Sequence, residues 1–179
     1  MKVLTQYSVP FRDLDNSDYE YNFIVSDSFF SCFEKSEIKG GDIEVKLILS
    51  KKPNSLELDL TLTGSVKIVC DRCLEDYFQE INFNDKISVE LGDETNFDTD
   101  KDFVVLDQNV NEINISQFIY EFAHFAIPLS HYHPNDKNGN CGCNPKMLDT
   151  LKKYSNSKKN NTVDPRWEKL TEIKNNNVK

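Results

Sequence analysis

Hydrophobic residues fall mainly on every second position over long stretches of the first half of this chain, which is the pattern of β-strands with one buried face. Lys52–Ser55 has the composition of a turn, and Gly64 predicts a bulge or a bend within a strand. The pattern predicts a meander of long antiparallel strands whose apolar face forms the core. The alternating stretches are 43–49, 56–62, 66–70 and 77–91.

Shorter elements surround these strands. Residues 19–25 and 103–106 have the composition of further strands, and a short helix is predicted over 26–33. A longer helix is predicted over 114–127, where apolar residues recur at helical spacing until Pro128 ends the run. We therefore predict an α+β fold, in which a curved antiparallel sheet or a partly closed β-barrel packs against the longer helix.

Charge divides the chain into two parts. Residues 1–136 hold 11 Lys and Arg against 26 Asp and Glu, whereas residues 137–179 hold 10 against 4. We predict an acidic β-rich body over 1–136 and a basic, cysteine-containing tail over 137–179, packed on the body. The body should repel nucleic acid and the tail should attract it. Equally, the acidic body could serve only solubility while the tail merely packs on it.

The composition indicates a protein of the cytoplasm. The chain has 179 residues, a length that suffices for one domain, or for one domain and a tail. Its mean hydropathy of −0.57 is that of a polar chain. No run of about 18 apolar residues predicts a membrane span, and the N-terminus lacks the apolar stretch of a signal peptide. We expect a cytoplasmic protein with no membrane partner, in which the thiols are kept reduced.

Two cysteine pairs carry the candidate chemistry: Cys70 with Cys73, and Cys141 with Cys143, separated by 67 residues. Four thiolates in two clusters suit a tetrahedral Zn²⁺, and such a closed site has no open position for a substrate. Because Cys70 ends one predicted strand and Cys73 precedes the next, both thiols should lie on a hairpin turn. A structural zinc ion would then clamp the tail to the sheet.

Two other states of the cysteines stay open, namely reduced unliganded thiols and a redox-active or transient disulfide. His131 and His133 lie close to Cys141 in sequence and are reserve ligands, although a pair of exposed loop histidines is the simpler interpretation. Cys32 lies among phenylalanines and is expected to be a small core residue.

No catalytic motif is evident. The chain has 6 glycines, none in a phosphate-binding motif, and it contains neither a GxSxG nor an HExxH sequence. His124 lies within the predicted longer helix and needs no chemical role. We therefore predict that the protein is not an enzyme and has no small-molecule substrate, although scattered carboxylates could still assemble into a site in three dimensions.

Four segments in this order resemble the YceD family, the large ribosomal RNA subunit accumulation proteins. They are Gly64 with Val69–Glu75, the helix after Ile113 that ends at Ala126–Leu129, the glycine- and cysteine-rich Gly139–Pro145, and the terminal Asp164–Leu170. The resemblance covers residues 64–173. It implies a non-enzymatic role in assembling the large ribosomal subunit or in 23S rRNA accumulation, with 23S rRNA or a large-subunit precursor as the partner.

The basic tail supplies candidate RNA-binding residues. Its lysines and arginine can meet phosphates, and Trp167 can stack on an unpaired base; otherwise Trp167 and Arg166 would dock a last helix that begins at Asp164. The predicted RNA-binding residues are Lys152, Lys153, Lys158, Lys159, Arg166, Trp167 and Lys169.

Three alternatives remain from the residues alone. The acidic body could act as a chaperone that binds a basic ribosomal protein, since opposite charges attract. A hydrolase assembled from scattered carboxylates would show strongly perturbed acids in a deep pocket. A third alternative, a thiol redox switch, would be supported by a low-potential disulfide between Cys70 and Cys73.

Overall fold

The computed structural model describes residues 3–92, 95, 104–135 and 139–155. The chain divides into two compact units, Met1–Cys143 and Asn144–Lys179. The first unit contains every strand of the described residues, and the fold is α+β with a curved sheet.

Seven strands and three helices make up the described part of the chain. A 3-10 turn at Leu4–Tyr7 precedes the first strand. The strands are β1 (Ser8–Pro10), β2 (Asp18–Val25), β3 (Gly40–Lys52), β4 (Ser55–Val69), β5 (Asp76–Gly92), β6 (Val104–Asp107) and β7 (Glu112–Asn114). The helices are α1 (Asp27–Phe30), α2 (Ser116–Phe125) and α3 (Pro145–Ser155).

The main sheet has the order β2-β3-β4-β5-β6, and β1 pairs with β7 in a separate two-stranded ribbon. The strands β2 to β5 form the predicted antiparallel meander. However, β6 runs parallel to β5, so the prediction of a wholly antiparallel sheet is wrong and the sheet is mixed. The composition of a four-residue strand indicates extended backbone but carries no information on direction.

The sheet does not close into a barrel. Among the described residues, β2 and β6 stand at opposite edges of the sheet and each pairs with one neighbour. The alternative of a partly closed barrel is therefore wrong. Five strands, of which β6 contributes only Val104–Asp107, form an open curved sheet whose one face must be covered by other elements.

The alternating pattern correctly predicted which face is buried. Every second residue of β4 from Leu56 to Leu62 is fully buried, and the odd-numbered positions of β5 point to the same side. Gly64 lies within an unbroken ladder between Ile43 and Ile81, so it forms no bulge. A Cβ there would meet the backbone of Asp42 and Ile43, and this close approach of two strands explains the glycine.

Two helices cover the buried face. The prediction of a helix near 114–127 is confirmed as α2, and aromatic rings join it to its surroundings. Phe33, just after α1, stacks on Tyr120 with ring centroids 3.9 Å apart, and Phe122 meets Phe83 of β5 at 5.3 Å. These contacts anchor α2 on the sheet that also carries the cysteine turn.

The second unit contains α3, which the sequence analysis did not predict. Asn144 accepts a hydrogen bond from the backbone N–H of Lys146 at 3.0 Å, and Pro145 occupies the first helical position. The helix predicted from Asp164 lies outside the described residues. No helix among the described residues is long and apolar enough to cross a membrane.

Candidate metal centre

The first part of the site is the cysteine turn, Cys70–Cys73, between β4 and β5, as the sequence predicted. Two backbone hydrogen bonds close it: the N–H of Leu74 donates to the carbonyl of Cys70, and the N–H of Cys70 donates to that of Glu75, each at 2.9 Å. Leu74 adopts a left-handed backbone conformation with φ of 59°. The tight turn directs the sulfur atoms of Cys70 and Cys73 to one side.

The second part is a return segment, defined as residues 131–135 and 139–143, which lies against the turn. The backbone N–H of Asp71 donates to the carbonyl of His131 at 3.0 Å, and the carboxylate of Asp71 accepts from the N–H of His131 at 2.8 Å. Within the segment, an antiparallel bridge joins Asn135 to Cys141. These contacts bring residues distant in sequence next to the cysteine turn.

Gly142 makes this close packing possible. Its N–H donates to the carbonyl of Pro134 at 3.3 Å. A Cβ at Gly142 would lie 3.0 Å from that carbonyl oxygen and 3.2 Å from the Cβ of His133. The glycine therefore leaves space where residues 139–143 pass close to residues 131–135.

Four side chains converge between the two parts: Cys70, Cys73, His133 and Cys143. Their ligand atoms all lie within 4.8 Å of one another, and the three cysteines are buried. The sulfur atoms of Cys70 and Cys143 are 3.7 Å apart, and the sulfur of Cys73 is 3.4 Å from Nδ1 of His133. This group could hold a metal ion.

Two of the six distances between the four ligand atoms are close to those of tetrahedral coordination. Zinc bonds of about 2.3 Å to sulfur and about 2.05 Å to nitrogen place two sulfurs about 3.8 Å apart, and a sulfur and a nitrogen about 3.6 Å apart. The separations of 3.7 Å and 3.4 Å lie within about 0.2 Å of these edges. Three thiols and one imidazole are also a donor set that zinc favours over the hard cations magnesium and calcium.

The pKa values of Cys70 and Cys143 are shifted in opposite directions. Burial raises the pKa of the Cys70 thiol, but backbone N–H groups of Cys73, Arg72 and His133 stabilise its thiolate and bring the pKa down to about 6. Burial, together with the neighbouring thiols of Cys141 and Cys70, raises the pKa of Cys143 to about 12. A cation in the group would stabilise both thiolates, because a coordinated thiol is deprotonated.

Cys141 and His131, the remaining candidates, lie outside the group of four. The sulfur of Cys141 is 4.0 Å from a guanidinium nitrogen of Arg72, and the Arg72 guanidinium also covers the ring of Tyr132 at 3.9 Å. The Nε2 of His131 is 3.6 Å from the carboxylate of Asp71. The structure thus brings three of the four predicted cysteines together with His133, which sequence analysis treated only as a reserve ligand.

The predicted RNA-binding residues are only partly described. Lys152 and Lys153 are exposed in the last turn of α3. The other predicted RNA-binding residues, Lys158, Lys159, Arg166, Trp167 and Lys169, lie outside the described residues. Cys32 is exposed rather than a core residue, and its sulfur donates to the carbonyl of Ser28 at 3.3 Å.

Comparison with known families gives one match. The family described as "Large ribosomal RNA subunit accumulation protein YceD" matches residues 58–174, a range that includes the cysteine turn, the return segment and α3. No curated protein and no solved structure matches the chain. Because the family match covers more than half of the 179 residues, the chain belongs to the YceD family of large ribosomal RNA subunit accumulation proteins.

Proposed function

We propose that this chain is a non-enzymatic cytoplasmic factor that promotes accumulation of 23S rRNA by binding the RNA or a large-subunit precursor. The family match over residues 58–174 carries the proposal, because the family is named for RNA accumulation and for no reaction. The excess of basic residues in 137–179 supports RNA as the partner, since cationic side chains bind phosphates.

We propose further that Cys70, Cys73, His133 and Cys143 hold a structural zinc ion. The convergence of these four ligand atoms within 4.8 Å supports this, as does the burial of the three thiols. Four protein ligands would leave no open position for water, so the site would stabilise the fold and would not catalyse. It would fix the return segment against the cysteine turn.

RNA binding by the basic tail is tested with the full-length protein and labelled 23S rRNA fragments. The variants K152E/K153E and K158E/K159E should both bind more weakly. Each phosphate contact contributes about 0.7 to the slope of log affinity against log salt for single-stranded RNA. If both lysines of a pair meet phosphates, the slope should therefore fall by about 1.4, measured by fluorescence anisotropy between low and moderate salt.

The matched control is K46E/K86E, which makes the same change in net charge on β3 and β5. This control should retain the salt slope of the parent protein. If the tail variants and the control lose affinity equally, or if none of them changes, the tail does not contact the RNA and this part of the proposal is wrong.

A further inference from the structure

The solvent-facing side of the main sheet carries an excess of negative charge. The even-numbered positions of β2, β3 and β5 and the odd-numbered positions of β4 point to this side. Its carboxylates are Asp18, Glu20, Asp42, Glu44, Glu57, Asp59, Asp76, Glu80 and Glu90, and its ammonium groups are Lys46, Lys52, Lys67 and Lys86.

All four of these lysines are engaged in ion pairs on the same face. Lys46 pairs with Glu20 at 2.9 Å, Lys52 with Glu57 at 3.0 Å, Lys86 with Asp59 at 3.1 Å and Lys67 with Asp76 at 3.7 Å. The remaining carboxylates form no ion pair with any residue in the described part of the chain. They are Asp18, Asp42, Glu44, Glu80 and Glu90.

Three of these unpaired carboxylates lie along one groove across the sheet. Two depressions meet at Thr63. One contains Glu44, Ile24 and Lys46, whose ammonium group is paired with Glu20, and the other contains Asp42 and Glu80. The pairing of the strands explains this alignment. Glu44 of β3 lies opposite Thr63 of β4, and in the neighbouring row of side chains Ser65 of β4 lies between Asp42 and Glu80. Ile24, at the β2 end, exposes 70% of its surface.

We propose that this acidic groove, defined by Ile24, Asp42, Glu44, Thr63 and Glu80, docks a lysine- and arginine-rich polypeptide segment. Its uncompensated carboxylates complement cationic side chains, whereas they repel the phosphates of RNA or of an anionic membrane surface. The exposed Ile24 offers an apolar contact at one end. The proposal is independent of the metal centre and of RNA binding by the tail.

The dimensions of the groove favour a polypeptide over a small cation. It crosses four strands, so with about 4.8 Å between neighbours it spans about 14 Å, the length of about four extended residues. The carboxylates are spread along this length rather than gathered at one point, and the metal-ligand group of the described residues is the cysteine and histidine cluster. A short basic run in extended conformation would place several cations over the groove.

The test uses the full-length protein and a fluorescein-labelled ten-residue peptide of alternating lysine and leucine. The variant D42N/E44Q/E80Q removes three charges from the groove without changing side-chain size. The matched control D13N/D15N/E112Q removes three charges from exposed carboxylates that lie before β2 and in β7. Thermal unfolding verifies that both variants fold, and fluorescence anisotropy measures the affinity for the peptide.

We expect the groove variant to lose about tenfold or more in affinity, equivalent to about 1.4 kcal/mol, and the control to lose less than about twofold. Backbone amide signals of Thr63 and Ser65 should shift on peptide addition in NMR spectra. Equal losses in the two variants, no loss in the groove variant, or shifts confined to another surface would overturn the proposal. So would tighter binding of a single-stranded RNA of equal length to the same residues.

Discussion

At the scale of single residues, five side chains are candidates for the four ligand positions of the proposed metal centre. His133 completes the group with Cys70, Cys73 and Cys143, whereas Cys141 lies beside the guanidinium of Arg72. Burial distinguishes the two cysteines of the return segment. Cys141 and Cys143 flank Gly142, and only Cys143 is buried against the thiol of Cys70, at 3.7 Å.

If Cys70, Cys73, His133 and Cys143 are the ligands, substitutions of these residues should lower zinc affinity, whereas the same substitutions at Cys141 and His131 should not. C143S and H133N should each lower zinc affinity by more than about 100-fold, because even the loss of an outer-sphere partner costs about 10- to 100-fold. C141S and H131N are the matched controls and should retain about one zinc ion per chain. Chelator competition and elemental analysis of the reduced, untagged protein measure both quantities.

The opposite result would also be informative. If C141S releases zinc and H133N does not, the four cysteines are the ligands, as the sequence analysis predicted. If none of the four variants changes zinc content, the proposed centre does not exist.

At the scale of elements, the sheet and the return segment depend on different interactions. The sheet is held by long ladders and by fully buried leucines such as Leu58 and Leu60 of β4. The return segment has little apolar burial. Its contacts with the cysteine turn include the hydrogen bonds between Asp71 and His131, the contacts of Arg72 with Tyr132 and Cys141, and the convergent candidate ligands. A bound metal ion would therefore stabilise the return segment more than the sheet.

Removal of the metal should accordingly loosen one region selectively. In the chelator-treated full-length protein, amide hydrogen exchange should accelerate in 70–75 and in the return segment, where few other contacts resist local opening. Exchange in β3 and β4 should change little, and these strands are the internal control. Equal acceleration in the sheet would mean that the metal stabilises the whole fold; unchanged exchange everywhere would argue against a structural metal.

At the scale of the whole molecule, the two compact units carry different chemistry. All four candidate ligands lie in Met1–Cys143, and the exposed lysines of α3 lie in Asn144–Lys179. The acidic groove belongs to the first unit. Metal binding and peptide docking are thus expected from one unit, and RNA binding from the other.

This division predicts the behaviour of a fragment of residues 1–144. The fragment should bind about one zinc ion and unfold cooperatively, because it retains the ligands and the buried sheet face. It should lose affinity for 23S rRNA fragments, since the basic α3 and the residues after it are absent. The full-length chain is the reference for zinc content, melting temperature and anisotropy. An unfolded fragment, or one that binds RNA as the full chain does, would contradict this assignment of roles.

Much of the fold could be predicted because the periodicity of strands and helices is set by residues that are neighbours in the sequence. The period of two in β3, β4 and β5 gave the buried face, and the helical spacing before Pro128 gave α2. In contrast, the sequence analysis did not predict α3, although Leu148, Leu151 and Tyr154 recur at helical spacing. Its signals were the capping Asn144 and Pro145, together with the lysines of its last turn.

The sequence by itself determined the long strands, the cysteine turn and the family, since alternation, turn chemistry and motif order are all written in neighbouring residues. Only the tertiary structure decided the parallel direction of β6, the open edge at β2, and the inclusion of His133 in the ligand group. These features depend on which distant segments meet. His133 joins Cys73 across 60 residues through backbone contacts that no spacing rule encodes.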